Sequence, residues 1–325
     1  MSTASPVPEQ PSIGFDELRE TLQRTDDREL AKDAFQRLRA ADGFSHARSI
    51  AFLTSLIFVQ AVIALVGLAH AFSAGSFGTT IVDTLNSVVP GAANLLLKEA
   101  VEQARTTQVE TATSWLPLIL GTLGAIITGT TLLGQIERAM NRTYGVERDR
   151  PTLQKYGRAA VLCLTAGGLT VLAFAIMTFG RELSRGPDPS ALVTIWNFVR
   201  WPLAAVLFAA ATAAVYKWSP RRRQPHWTWL LGGAVVSVGF FVIVTVLLDA
   251  LFQLSSTFGK TYGPLAGLVA LSLWSYAVAL GLLFGAALSA QAEAVRAGVP
   301  GPTRDTPADP STWTPADRTD TVAVP

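Results

Sequence analysis

Six stretches of this chain are apolar for about 20 residues or more, at roughly 49–72, 114–135, 159–179, 195–218, 227–254 and 265–292. A helix needs ~20 such residues to cross ~30 Å of hydrocarbon, so each stretch reads as a membrane span. The pattern predicts an all-α polytopic membrane protein: six transmembrane helices, an amphipathic N-terminal helical segment and a disordered C-terminal tail. The clearest unit runs from Trp227 to Glu293. There an apolar run ends in Asp249, Gln253 and a polar turn through Tyr262, Gly263 and Pro264, and a second run follows carrying Trp274 and Tyr276. Two long runs joined by a short polar turn predict a helical hairpin across the membrane.

The segments outside the spans read differently. Residues 1–12 are polar and proline-containing and are expected to be a disordered lead, without the apolar core of a signal peptide. Over 13–48, Phe15, Leu18 and Leu22, then Leu30, Phe35 and Leu38, recur at helical spacing among charges, which predicts one or two cytoplasmic amphipathic helices. They suit either a membrane-surface segment or a helix packed beneath the bundle. The mixed signs of their charges favour packing over attraction to anionic lipid. Within the membrane domain, 49–293, residues 81–106 between the first two spans suggest an external helical segment broken at Pro90-Gly91. Residues 297–325, with six prolines and no apolar period, are expected to be a disordered cytoplasmic tail.

Charge sets the orientation. Arg37, Arg39 and Arg48 precede the first span; Arg138, Arg142, Arg148, Arg150 and Lys155 follow the second. Lys217 and Arg221, Arg222 and Arg223 follow the fourth, and Arg296 follows the sixth. The alternate loops are poor in basic residues, which places both termini and the two basic loops in the cytoplasm of a cell whose inner membrane holds the chain. Of the 325 residues, 50% are hydrophobic and 15% charged, with a net charge of +2. Soluble chains carry about 25% charged residues, and so small an excess of positive charge argues against a nucleic-acid partner. One cysteine, Cys163, and three scattered histidines, His46, His70 and His226, form no disulfide or metal pattern. No cofactor motif or catalytic constellation is visible, so no cofactor and no enzymatic activity are expected.

Small residues four apart predict where helices touch, because spans in lipid associate by close packing. Gly121, Ala125 and Gly129 form such a stripe in the second span, and Ala277, Gly281 and Gly285 form one in the sixth. The same stripes also suit a homo-oligomer. Arg200 and Asp249 each fall about five residues inside a span end, roughly 8 Å deep at ~1.5 Å per residue. The short loop between the fourth and fifth spans makes those helices antiparallel neighbours, so the two charges are a candidate intramembrane pair. The plainer reading has Arg200 reaching the interface beside Trp201 and Asp249 facing water. Asn141, flanked by Arg138 and Arg142, with Gln253 and Tyr262, are candidates for a polar path or gate. Solvated loops and a turn are the plainer account of those three.

The segment Ile136-Glu137-Arg138-Ala139-Met140-Asn141-Arg142-Thr143-Tyr144-Gly145-Val146 resembles the "ALN-x-x-(W/Y)-x-V" cytoplasmic loop of the YihY/BrkB family. Arg200-Trp201-Pro202-Leu203, Tyr216-Lys217-Trp218-Ser219-Pro220, Tyr262-Gly263 and Leu273-Trp274-Ser275-Tyr276 follow in that family's order, and the resemblance covers roughly 43–293. Two places depart from it. Gly285-Ala286-Ala287 stands where the family has "GAE", and Gln60 stands in a first span that lacks the family's proline. The resemblance implies a six-span inner-membrane protein, in a family once labelled ribonuclease BN and with a branch called a virulence factor. The ribonuclease label is rejected here, because three scattered histidines, each near a span end, provide no cluster of metal ligands for RNA cleavage. The remaining readings are a transporter-like or lipid-handling protein with a small-molecule or lipid substrate, or a non-transporting scaffold or envelope-integrity factor.

Overall fold

The structure is a computed structural model, and it describes residues 4–71, 115–183, 191–254 and 264–304. Among these residues there are eight helices and no strand, only one isolated bridge between Ala4 and Thr303. Two short helices, α1 (Phe15–Arg24) and α2 (Asp27–Ala40), precede six long ones. The long helices are α3 (Gly43–Ala71), α4 (Leu116–Thr143), α5 (Thr152–Leu183), α6 (Ala191–Trp218), α7 (Trp227–Leu254) and α8 (Pro264–Arg296). Each long helix contains a stretch long and apolar enough to cross a membrane. In lipid such a backbone satisfies all its polar groups internally.

Each span packs against the next in sequence, and α8 closes the circuit on α3 while also touching α4. The outcome is an up-and-down ring in which α8 is the most buried helix. Its sequence explains this. Gly281, Gly285, Ala286, Ala287, Ser289, Ala290, Ala292 and Ala294 present almost no side-chain bulk, so α2, α3 and α7 approach its axis. The α7–α8 contact is the tightest: Gly233 lies against the backbone of Gly285 and the hydroxyl of Ser289, leaving no room for a Cβ on either glycine. On the other side of the ring, Gly121 of α4 lies against the α3 backbone at Gln60 and Ala64, and Gly67 of α3 lies against Pro117 and Leu118. A methyl group on Gly129 would stand 2.7 Å from the Cys163 sulfur, so the third span is seated there.

Four boundaries differ from the sequence reading. Residues 4–12 are not a loose lead: Ala4 and Val7 are buried and the strand-like segment is hydrogen-bonded across the basic end. The tail begins ordered too, because α8 ends in a Schellman turn. There the Gly298 N–H reaches the Val295 carbonyl and the Val299 N–H reaches Ala294, with Gly298 at φ 71°. Residues 299–304 then fold back onto the N-terminal segment. The Ile136–Val146 stretch is mostly helix rather than loop, since α4 continues to Thr143 before its own left-handed glycine, Gly145. α3 likewise starts at Gly43, six residues before the apolar run. The external segment 81–106 and the tail from 305 onward lie outside the described residues.

Candidate functional site

The ends of α2, α4, α6 and α8 converge at the basic end of the bundle, and there the structure buries charge. Arg222, just beyond α6, donates to both carboxylate oxygens of Glu293 on α8, through Nη1 at 3.0 Å and Nη2 at 2.6 Å. Its guanidinium carbon lies 4.6 Å from the Tyr144 ring centroid, adding a cation–π contact. Both side chains of the pair are buried, at 2% and 0% exposure. Beside them Arg37 of α2, wholly buried, donates Nε to Gln291 at 2.8 Å and Nη1 to the carbonyls of Ser5 and Thr143. Burial pulls the Arg37 guanidinium down to about 10, with Tyr144, Asp33 and Glu293 opposing that, so it stays charged at neutral pH. Burial also pushes the Tyr144 hydroxyl up, so it remains a phenol. A second buried pair joins Arg150 to Glu137 at 3.1 Å, and Arg150 also caps the end of α6 through the carbonyls of Ser219 and Pro220.

Residues 4–14 run across this cluster as a strap. Ser5 bonds to Pro302, Val7 to Tyr144, Pro8 to Arg222, Glu9 to the Arg223 N–H, Gln10 to Glu293, and Ile13 to the His226 N–H. Gly145 leaves the room this needs, since a Cβ there would meet the Pro6 backbone at 2.6 Å. The strap thus ties together both basic loops, α2, α8 and the start of the C-terminal segment. Breaking either buried pair strands a charge in a medium that solvates it poorly.

The candidates from the sequence fall at two levels. Asn141 is buried within the basic end: its amide donates to Asp149 at 2.9 Å and its carbonyl oxygen accepts from the Arg221 N–H at 2.7 Å. It splices the two basic loops together, while Arg142 donates to the carbonyls of Val146 and Glu147 and Arg138 lies 3.4 Å from Asp149. Arg200 and Asp249 lie in the opposite half of the membrane domain, both half-buried. The rings of Phe208 on α6 and Phe241 on α7 meet with centroids 5.2 Å apart. Counting eight residues outward from each, along antiparallel helices, brings Arg200 and Asp249 to one level, ~12 Å beyond that contact at ~1.5 Å per residue. Trp196 sits one turn before Arg200, its indole nitrogen shielded from solvent. Gln253 is in the last turn of α7, and Tyr262 lies outside the described residues. Of the small-residue stripes, Gly121, Gly129, Gly281 and Gly285 are buried, and Ala125 and Ala277 are half-buried.

Sequence reasoning missed Arg222–Glu293, Arg150–Glu137 and Arg37–Gln291 because each partner looked ordinary where it stood. Arginines beside a span read as orientation signals. The available signal was in the carboxylates: Glu137 and Glu293 each sit within an apolar or alanine-rich helix end, where an acid needs a buried partner.

A ring of six apolar helices sealed at its basic end by buried ion pairs defines a polytopic helical membrane protein. The chain belongs to the Virulence factor BrkB family, whose model matches residues 34–309. It is 31% identical over 171 residues to a UPF0761 membrane protein of Halorhodospira halophila, covering 51% of this chain and 37% of that one. It is 29% identical over 181 residues to a UPF0761 membrane protein of Methylibium petroleiphilum, covering 53% and 42%. Over 178 residues it is 21% identical to the ribonuclease-like protein YfkH of Bacillus subtilis, covering 53% and 64%. The chain therefore spans less than two thirds of the length of each of these relatives. No solved structure matches it.

Proposed function

We propose that this chain is a transporter-like or lipid-handling protein of the cytoplasmic membrane, with its basic end and both terminal segments in the cytoplasm. It would act on a small or amphipathic solute and carry out no covalent chemistry. The observation that carries the reading is the contrast along α6 and α7. Toward the basic end seven of residues 209–216 and five of residues 229–237 are buried; toward the other end, among the described residues, none of 194–208 or 238–252 is. Arg200 and Asp249 stand at one level within that looser half, and intramembrane charges of this kind mark solute or ion pathways. A polar station on walls that otherwise face lipid suits a headgroup or an amphipathic solute. The sealed basic end supplies the closed side that a transport cycle requires. The charged groups there engage one another, which supports a structural rather than a nucleolytic use of them.

Flux and lipid-scrambling assays on the purified protein in proteoliposomes test the reading. Activity above empty vesicles that falls in Arg200→Ala is the expected result. Orientation is tested separately by cysteines at the exposed positions Arg148 and Arg223 in a Cys163→Ala background, which should label only after the cells are permeabilised. Neither flux nor scrambling from folded protein would favour the second reading, a scaffold or envelope-integrity factor. That reading draws on the broad basic-end platform that the strap, α1 and α2 build.

A further inference from the structure

The face of α1 that the bundle leaves uncovered has a definite position relative to the membrane. Leu18 and Thr21 are buried against the bundle, whereas Phe15 is 59% exposed and Leu22 38%. Phe15 and Leu22 are seven residues apart and share one face, next to the Leu18 face, so the apolar arc of α1 is only half covered. The height of the helix follows from its neighbours. Gly14 lies against Thr228 and His226, and Leu18 against Gly232. Gly232 is five residues past Trp227, or about 7 Å along the α7 axis at ~1.5 Å per residue. Trp227 packs edge-on to Trp218 at a centroid distance of 4.9 Å, and this pair of span-end tryptophans marks the interface. α1 therefore flanks the first turns of a span instead of hanging below it. On α7 itself the exposed Leu231 and Val235 lie on the face next to Thr228 and Gly232, continuing the apolar surface of α1 onto the lipid-facing wall.

We infer that α1 is an interfacial helix, with Phe15 and Leu22 seated in the headgroup–acyl boundary of the leaflet at the basic end. Interfacial helices bury their apolar face ~5–10 Å into that boundary, the depth at which Leu18 meets α7. The opposite face, with Glu17, Glu20 and Arg24, stays in water. The helix has three acidic residues against two basic ones, so its seat depends on apolar contact and not on anionic headgroups. Glu20 holds Arg296 at the end of α8 at 2.6 Å, and Ile13 accepts from the His226 N–H at 3.0 Å. The lipid seat thereby anchors the strap that closes the basic end.

The test uses the full chain in phosphatidylcholine liposomes. Phe15→Cys, Leu22→Cys, Arg24→Cys and Val235→Cys, each with Cys163→Ala, carry an environment-sensitive fluorophore. Labels at 15 and 22 should lose fluorescence to a lipid bearing a nitroxide near the top of its acyl chain, as the label at 235 does, and should resist aqueous iodide. The label at 24 should behave oppositely. Added phosphatidylglycerol or high salt should change none of this. Quenching of 15 and 22 by iodide and not by nitroxide lipid overturns the inference. So does protection from both, which would mean that a second copy or another protein covers the face. Should a label disturb the elution profile, hydrogen exchange on the unsubstituted chain decides: slower exchange over 15–24 in bilayers than in a lipid-free amphipol supports the seat, and equal rates overturn it.

Discussion

The Tyr216 hydroxyl of α6 stands 2.8 Å from the position a methyl group would take on Gly285 of α8. Ser237 of α7 closes the same spot, bonding to Tyr216 at 2.6 Å and to the Gly281 carbonyl at 3.0 Å. Three spans therefore meet around one hydrogen atom, and a buried hydroxyl pair is satisfied only because the glycine is there. This contact lies between the looser half of α6 and α7 and the sealed basic end.

Gly285→Ala should lower the melting temperature of the detergent-purified protein. The added methyl meets the Gly233 backbone as well as two side chains, and overpacking of this kind costs about 1–3 kcal/mol. Gly167→Ala, on the face of α5 where nothing lies within 4 Å, should melt like the parent. Equal melting of both variants would separate α7 from α8.

The buried pair at the basic end predicts a non-additive cycle. Glu293→Gln and Arg222→Gln should each destabilise by about 3–5 kcal/mol, since each leaves one buried charge unpaired. The double variant should lose less than the sum of the two. Denaturation midpoints of all four proteins measure it, and strictly additive losses would show that the two groups act independently.

For Arg200 and Asp249 the same cycle is read in function as well as stability. Arg200→Ala and Asp249→Ala should each reduce flux or scrambling, with partial recovery in the double variant if they act as a pair. A stable, inactive Arg200→Ala assigns that level to the solute path. A destabilised variant whose activity scales with its folded fraction assigns it to the bundle's architecture.

Acid should loosen the first basic loop, where the Asp149 carboxylate holds Asn141, Arg138 and Lys155. Burial raises the Asp149 carboxyl, but the Asn141 amide, Lys155, Arg142 and Arg138 outweigh that and hold it below the usual carboxylate range. A lowered folded value means that its stabilisation is complete above the ordinary carboxylate pKa and is lost as pH falls through the depressed one. The stability gap between the parent and Asp149→Asn should therefore be constant near neutral pH and close on acidification. A gap that persists at the acid end would assign the effect to packing instead.

The amino-acid sequence by itself determined the six spans, the helical class and the two basic loops, because hydrocarbon imposes length and polarity on any segment that crosses it. The same is true of the amphipathic α1 and α2, whose periodicity is local. It did not reveal that residues 4–12 and 299–304 are ordered, since their order comes from hydrogen bonds to chain more than a hundred residues away. Nor did it distinguish Arg222 from Arg221 and Arg223, identical neighbours of which one is driven beneath the strap onto Glu293. The spacing of glycines marked Gly285 as a packing residue, but its partners Tyr216 and Ser237 are set by how three helices cross. Local composition is enough to partition a segment into lipid. Which buried charge meets which depends on the closure of the whole ring, and only the tertiary structure decided that.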